Sequence, residues 1–131
     1  LCNFIKSESA SKQLSQYIGR HQDKRKREFA HADIVVVGGL GIEDAEGFGV
    51  LEDFANSVGG AAVVTRAVVD RGLVSHKHAM FASASTTMPQ PKLIFAVGMS
   101  GTLPTIAWML RSTIVAINTD PTAQIFEFAN Y

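Results

Sequence analysis

The chain alternates between short, wholly apolar runs and polar, glycine-marked breaks. Leu93-Ile-Phe-Ala-Val97 is apolar throughout and breaks into Gly98-Met-Ser100-Gly101. A second run, Thr113-Ile-Val-Ala-Ile117, ends in Asn118-Thr-Asp120-Pro121. Ile34-Val-Val-Val37, followed by Gly38-Gly-Leu-Gly41, and Ala61-Ala-Val-Val64 are further runs of the same kind. Runs this short and this apolar read as strands buried on both faces rather than as alternating surface strands. Between them lie helical patterns. Phe48 to Val58 places Val50, Leu51, Phe54, Ala55 and Val58 at helical spacing and closes on Gly59-Gly60, and a second helix is expected from about Thr102 to Leu110. Thr65 to Gly72 reads as a turn or short helix, Met80 to Ala84 as a weaker strand, and Ile125-Phe126 with Phe128 as a final short strand. Strands alternating with helices predict an α/β fold, a doubly wound parallel sheet of the Rossmann-like, FAD- or NAD-binding type.

The first thirty residues do not share this pattern. Ser7 to Arg27 is polar, and only Leu14, Tyr17 and Ile18 suggest an amphipathic turn of helix. The basic stretch Asp23-Lys-Arg-Lys-Arg-Glu28 carries no interleaved aromatics and reads as solvated linker rather than as a nucleic-acid patch. Residues 1–31 are therefore expected to be a polar segment or linker helix, and 32–131 the folded domain. With 131 residues, 47% of them hydrophobic, the chain can bury a core of its own. Its 12 basic and 12 acidic residues balance, which argues against nucleic acid or an anionic membrane as the partner. A single cysteine, Cys2, leaves no internal disulfide or cysteine zinc cluster. No run approaches a membrane span, and the polar start does not read as a signal peptide. A cytoplasmic protein is expected, or a mitochondrial-matrix one if the source is eukaryotic.

The loops after the strands hold the chemistry. In Gly38-Gly-Leu-Gly-Ile-Glu-Asp44 the third glycine of a G-x-G-x-x-G spacing would fall on Asp44, so a nicotinamide dehydrogenase is poorly supported. Tight turning through positive φ explains these glycines without a ligand. Thr65-Arg66 directly follows a strand, where an arginine can reach a ligand crevice or pair with Asp70 four residues on. The hydroxyls of Ser85 and Thr86 can bond a ring nitrogen or a phosphate oxygen, or simply make a polar loop. Gly98, Ser100 and Gly101 precede a helix, so that Ser100 either meets a ligand or caps that helix. Asn118 can read an adenine or ribose edge, whereas Asp120-Pro121 equally builds an Asx turn. His76-Lys77-His78 reads as a solvated loop, and no histidine stands where a catalytic triad can be argued.

Four segments together resemble the FAD-binding C-terminal domain of the electron transfer flavoprotein α subunit: Val36-Val-Gly-Gly39, Thr65-Arg66-Ala-Val-Val-Asp70, Ala96-Val-Gly98-Met-Ser-Gly101, and Val115-Ala-Ile-Asn118-Thr-Asp-Pro121 through Ile125-Phe126. The resemblance runs in order from Ala32 to Tyr131. It implies non-covalent FAD, a β-subunit-like partner, flavin dehydrogenases as electron donors, and an electron carrier rather than an enzyme with its own substrate. Arg66 then falls against the flavin ring, Ser100 on the cofactor-contacting turn, Asn118 on the adenosine side, and Ser85 on a hydroxyl loop that has lost its glutamine. The chain departs from the family where an arginine is replaced by Leu40 and a histidine by Thr105, after Pro104. It also lacks the aspartate-containing segment that follows Asn130-Tyr131 in the family. These departures motivate a different class of function, a scaffold or binding module that holds only AMP or ADP. Self-association into a homo-oligomer is left open.

Overall fold

The computed structural model describes residues 29–80 and 90–131, with only the backbone described at residues 103 and 104. The expected N-terminal helix, the basic stretch and the hydroxyl loop of Ser85 and Thr86 lie outside the described residues.

Four apolar runs form one parallel sheet. Strand β1 is Ile34–Gly38, β2 Ala61–Val64, β3 Leu93–Val97 and β4 Thr113–Ile117, in the spatial order β2-β1-β3-β4. Val35, Val36 and Val37 of the central β1 are all fully buried, which explains a strand with no polar alternation. Successive side chains point to opposite faces. Val35 and Val37 accordingly join one core cluster with Ile94, Ala96 and Ile114, while Val36 and Val64 join the other. Helix α1 (Ala45–Ser57) and the one-turn α2 (Arg66–Asp70) bring Phe48, Leu51, Ala55 and Val68 to the second cluster. Helix α3 (Leu103–Met109) and the short α4 (Ile125–Phe128) bring Ile106, Met109 and Ile125 to the first. Phe29 and Trp108, with ring centroids 6.4 Å apart, extend that side. Helices cover both faces, as the doubly wound reading requires.

The structure corrects three local expectations. Helix α1 starts at Ala45, three residues before Phe48, because the Asp44 carboxylate accepts from the Gly47 amide at 2.7 Å and caps the helix there. Its other end behaves as expected: Val58 caps it and Gly59 follows at φ +68°. Ile125 to Phe128 is a turn of helix, not a strand. Its bonds run Ala129 N to Ile125 O, and only Ile125 is buried. Just beyond, the Tyr131 amide donates to Ile114 O and the Ala116 amide donates to Tyr131 O, two backbone bonds on the open side of β4. For the weak strand at Met80 to Ala84, only Met80 is described. Its amide bonds Val64 O at 2.8 Å, and Ala79 makes an isolated parallel bridge to Val64.

The third correction concerns the first glycine loop. None of Gly38, Gly39 and Gly41 has positive φ. They are needed for space. A Cβ on Gly39 would lie 2.4 Å from Gly98 O, and one on Gly41 would lie 2.8 Å from Gly98 Cα. The loop after β1 is packed backbone to backbone on the loop after β3.

Candidate functional site

The strand order reverses between β1 and β3, since β2 lies on one side of β1 and β3 on the other. Loops leaving the carboxyl ends of such a pair diverge and open a crevice. A pocket of about 240 Å³ lies there, lined by Gly39 and Leu40 after β1, Thr65 to Ala67 after β2, Met99 to Thr102 after β3, and Thr105 of α3.

The turn after β3 is tied down carbonyl by carbonyl. Val97 O accepts from Gly39 N (2.8 Å), Gly98 O from Gly41 N (2.9 Å), Met99 O from Asn118 Nδ2 (2.8 Å), and Ser100 O from Ile125 N (3.2 Å). The donors come from three places in the chain: the loop after β1 supplies two, the end of β4 one, and the start of α4 one. Gly98 and Gly101 turn the chain at φ +61° and +92°, and a Cβ at Gly101 would meet Ile125 N at 2.5 Å. A trans peptide points its N–H opposite to its C=O. With the carbonyls of residues 98, 99 and 100 bound to the protein, the amides of Met99, Ser100 and Gly101 are directed away from those partners. These amides have no acceptor among the described residues, and all three residues line the pocket. Consecutive backbone amides freed in a turn bounded by two glycines of positive φ can make a concavity suited to an anion.

Among the described residues Arg66 is the one cation on the lining, and no carboxylate lines the pocket. Its Nε lies 3.6 Å from Asp70 Oδ2, both side chains being well exposed. The arginine opens α2 and the aspartate closes it, the unfavourable order for the helix dipole. The pair therefore contributes little to the helix, and Arg66 is at once on the pocket wall and paired with Asp70. Thr65 stands at the N-cap of α2 without a capping bond from its side chain, while its amide donates to Gly38 O at 2.9 Å.

The structure brings Thr65, Arg66, Ser100 and Gly101 together on one pocket wall, with Gly98 turning the chain beneath them. Ser100 is exposed and does not cap α3, whose N-cap is Thr102. Asn118 and Asp120 are not on the pocket lining. Asn118 Oδ1 accepts from the Asp120 amide at 3.0 Å, and Asp120 Oδ1 accepts from Thr122 N and Oγ1 at 2.9 and 2.7 Å, two successive Asx-type turns. The bonds from the Thr122 hydroxyl and then its amide hold the Asp120 carboxyl below the usual aspartate range. Leu40 and Thr105 both line the pocket. Met99, Ala67 and Thr102 were not expected there. Met99 is the x of Gly-x-Ser-Gly, and the apolar type at that place hinted at a floor to the turn, since it is 3% exposed.

Away from the pocket, His76–His78 forms a 3-10 turn. The His78 ring meets Phe48 edge-on at 4.8 Å and its Nδ1 lies 3.7 Å from Glu52, so this residue packs on α1 rather than standing in a solvated loop. Among the described residues no helix is long and apolar enough to cross a membrane, and no group of three or more metal-binding side chains gathers.

The chain is similar to known proteins over most of its length. The family model described as the electron transfer flavoprotein FAD-binding domain matches residues 28–109. The electron transfer flavoprotein subunit alpha of Thermoanaerobacterium thermosaccharolyticum is 43% identical over 101 residues, covering 76% of this chain and 30% of that protein. The mitochondrial subunit alpha of Oryza sativa subsp. japonica is 39% identical over 113 residues, covering 86% and 31%. That of Arabidopsis thaliana is 36% identical over 133 residues, covering 100% and 35%. The chain thus spans about a third of the length of these curated relatives.

Proposed function

The chain belongs to the electron transfer flavoprotein FAD-binding domain family, and from that premise we propose that it binds FAD non-covalently and serves as an electron carrier. The observation that carries this reading is the donor set of the pocket among the described residues: three directed amides, one arginine, four hydroxyls and no carboxylate. That set suits a pyrophosphate, which carries two negative charges and accepts many hydrogen bonds. When bound, FAD supplies the reversible uptake of electrons. The protein's own part is to hold the cofactor. Met99, Ser100 and Gly101 offer amides to the phosphates, Thr65, Ser100, Thr102 and Thr105 offer hydroxyls, and Arg66 offers a fixed positive charge. By the resemblance Arg66 stands against the flavin ring, where its charge favours the reduced anion over the neutral oxidised form. A β-subunit-like protein is the proposed partner, flavin dehydrogenases the proposed electron donors, and the mitochondrial matrix the proposed compartment in a eukaryote.

A second reading is favoured by two residues on the pocket wall. By the resemblance, Leu40 and Thr105, which both line the pocket, replace an arginine and a histidine of the family, which removes two cofactor partners. Native mass spectrometry of the purified protein, followed by identification of the released ligand, tests both. FAD released from the protein supports the carrier, and AMP or ADP supports the second reading. Failure to take up added FAD, alone and with a β-subunit partner, removes the first.

A further inference from the structure

The residues that open helices α1, α2 and α3 use their side chains differently. Asp44 turns its carboxylate onto α1 and accepts from Gly47 N at 2.7 Å. Thr65 and Thr102, the N-caps of α2 and α3, both line the pocket, and neither side chain makes a capping bond. At Thr102 the sequence supplies the reason. A capping hydroxyl accepts from the amide of the second or third helical residue. The second residue of α3 is Pro104, which has no N–H to give. The third is Thr105, whose amide donates at 3.0 Å to the backbone carbonyl of Thr102. Thr102 is exposed, and it directly follows the turn whose Met99, Ser100 and Gly101 amides have no acceptor among the described residues.

We propose that Thr102 is a phosphate-binding residue, whose hydroxyl donates to a phosphate oxygen of the ligand and which Pro104 keeps from serving as a helix cap. This rests on the reading that the pocket takes FAD or an adenine nucleotide. A hydroxyl here adds a bond to the anion without adding charge, beside Arg66, the single cation of the described lining. It extends the run of donors from the amides of Met99, Ser100 and Gly101 to the first turn of α3, where proline has already removed one amide.

The test titrates inorganic pyrophosphate, ADP and FAD into the 131-residue chain and into its Thr102→Ala and Thr102→Ser variants, with urea denaturation of each in the absence of ligand. Thr102→Ala is expected to lose about tenfold in affinity, by the same factor for all three probes, as one hydrogen bond to a charged group is removed. Thr102→Ser, which keeps the hydroxyl, should recover most of that loss. The urea midpoint of Thr102→Ala should stay at the wild-type value. In a Pro104→Ala background, where the second amide of α3 is restored, the same change should lower it, because the hydroxyl then has a helix amide to cap. FAD binding that falls while pyrophosphate and ADP binding hold would put the hydroxyl on the flavin and overturn the proposal. Unchanged affinity for all three probes, or a lowered midpoint on the wild-type background, would also overturn it. A Pro104→Ala background that leaves the midpoint insensitive to Thr102→Ala would remove the role given to Pro104. A wild-type chain that binds none of the probes instead removes the nucleotide reading on which the proposal stands.

Discussion

Replacing Gly39 by alanine separates the packing role of the first glycine loop from any conformational role. Gly39 does not have positive φ, so alanine is acceptable to the backbone itself. The added methyl would lie 2.4 Å from Gly98 O, 2.7 Å from Met99 Cα and 2.8 Å from Met99 Cγ, two of them backbone atoms that cannot swing away. Ordinary contact begins near 3.4 Å. Relief thus requires the loops after β1 and β3 to separate by about 1 Å. Such a movement stretches the 2.9 Å bond from Gly41 N to Gly98 O beyond hydrogen-bonding range. The lost bond costs about 1 kcal/mol and the overpacking about 1–3 kcal/mol, for a total of roughly 2–4 kcal/mol. Because Gly98 O aims the Met99 amide, the affinity for pyrophosphate or FAD should fall as well. Urea denaturation and a binding titration on the same sample measure both effects. Gly49→Ala is the control: it lies inside α1 with nothing within 4 Å of its added Cβ, and should gain about 0.5–1 kcal/mol from helix propensity. A Gly39→Ala protein with wild-type stability and binding would refute the backbone-on-backbone account.

Arg66→Ala should weaken FAD binding by ~1–3 kcal/mol and lower the flavin potential while leaving the melting temperature nearly unchanged, because the Arg66–Asp70 pair is exposed; normal binding with early melting would make Arg66 structural. Leu40→Arg returns a cation to the pocket wall and should tighten FAD binding by about 1 kcal/mol, with the gain shrinking as salt is added; no gain, or one insensitive to salt, would mean that this position does not face the anion. The Asp120 carboxyl is held below its ordinary range by Thr122, so its contribution to folding is complete above the unfolded-state value near pH ~4 and is lost as pH falls through the lower folded-state value. Acid denaturation of Asp120→Asn should lack that component, and NMR titration of the wild-type carboxyl at or above the ordinary aspartate value would contradict it.

What the sequence disclosed follows from how local each cause is. Leu93–Val97 could be read because an inner strand of a sheet covered on both faces needs an unbroken apolar run, and a run is visible in a single window; Thr113–Ile117 shows the same run although it is the edge strand and buries only Ile114. The start of α1 was obscured by two glycines and three acidic residues, although the Asp44 cap that sets it was present in the sequence. Ile125-Phe-Glu-Phe128 has the alternation of a strand, and only the seat of Ile125 in the core and the bond from Ala129 N to Ile125 O decide for helix. The reason for Gly39 and Gly41 was hidden because it resides in a second loop, some sixty residues on, that lies against them. Arg66, Thr65 and Ser100 were identified as neighbours through strand ends, a rule of topology. The Asn118 bond to Met99 O spans 19 residues and leaves no trace in spacing. Met99 and Thr102 escaped notice because neither side-chain type announces a ligand.

The claim at the centre of this account is that the Gly98–Gly101 turn and Arg66 together receive the anionic part of FAD. Titration of FAD into the ¹⁵N-labelled chain, with and without a β-subunit partner, tests it at single residues. The account predicts saturable shifts largest at the amides of Met99, Ser100 and Gly101 and at the Arg66 side chain, reproduced in the turn by pyrophosphate alone. Saturable shifts elsewhere with this turn unmoved, or no saturation under either condition, would contradict it.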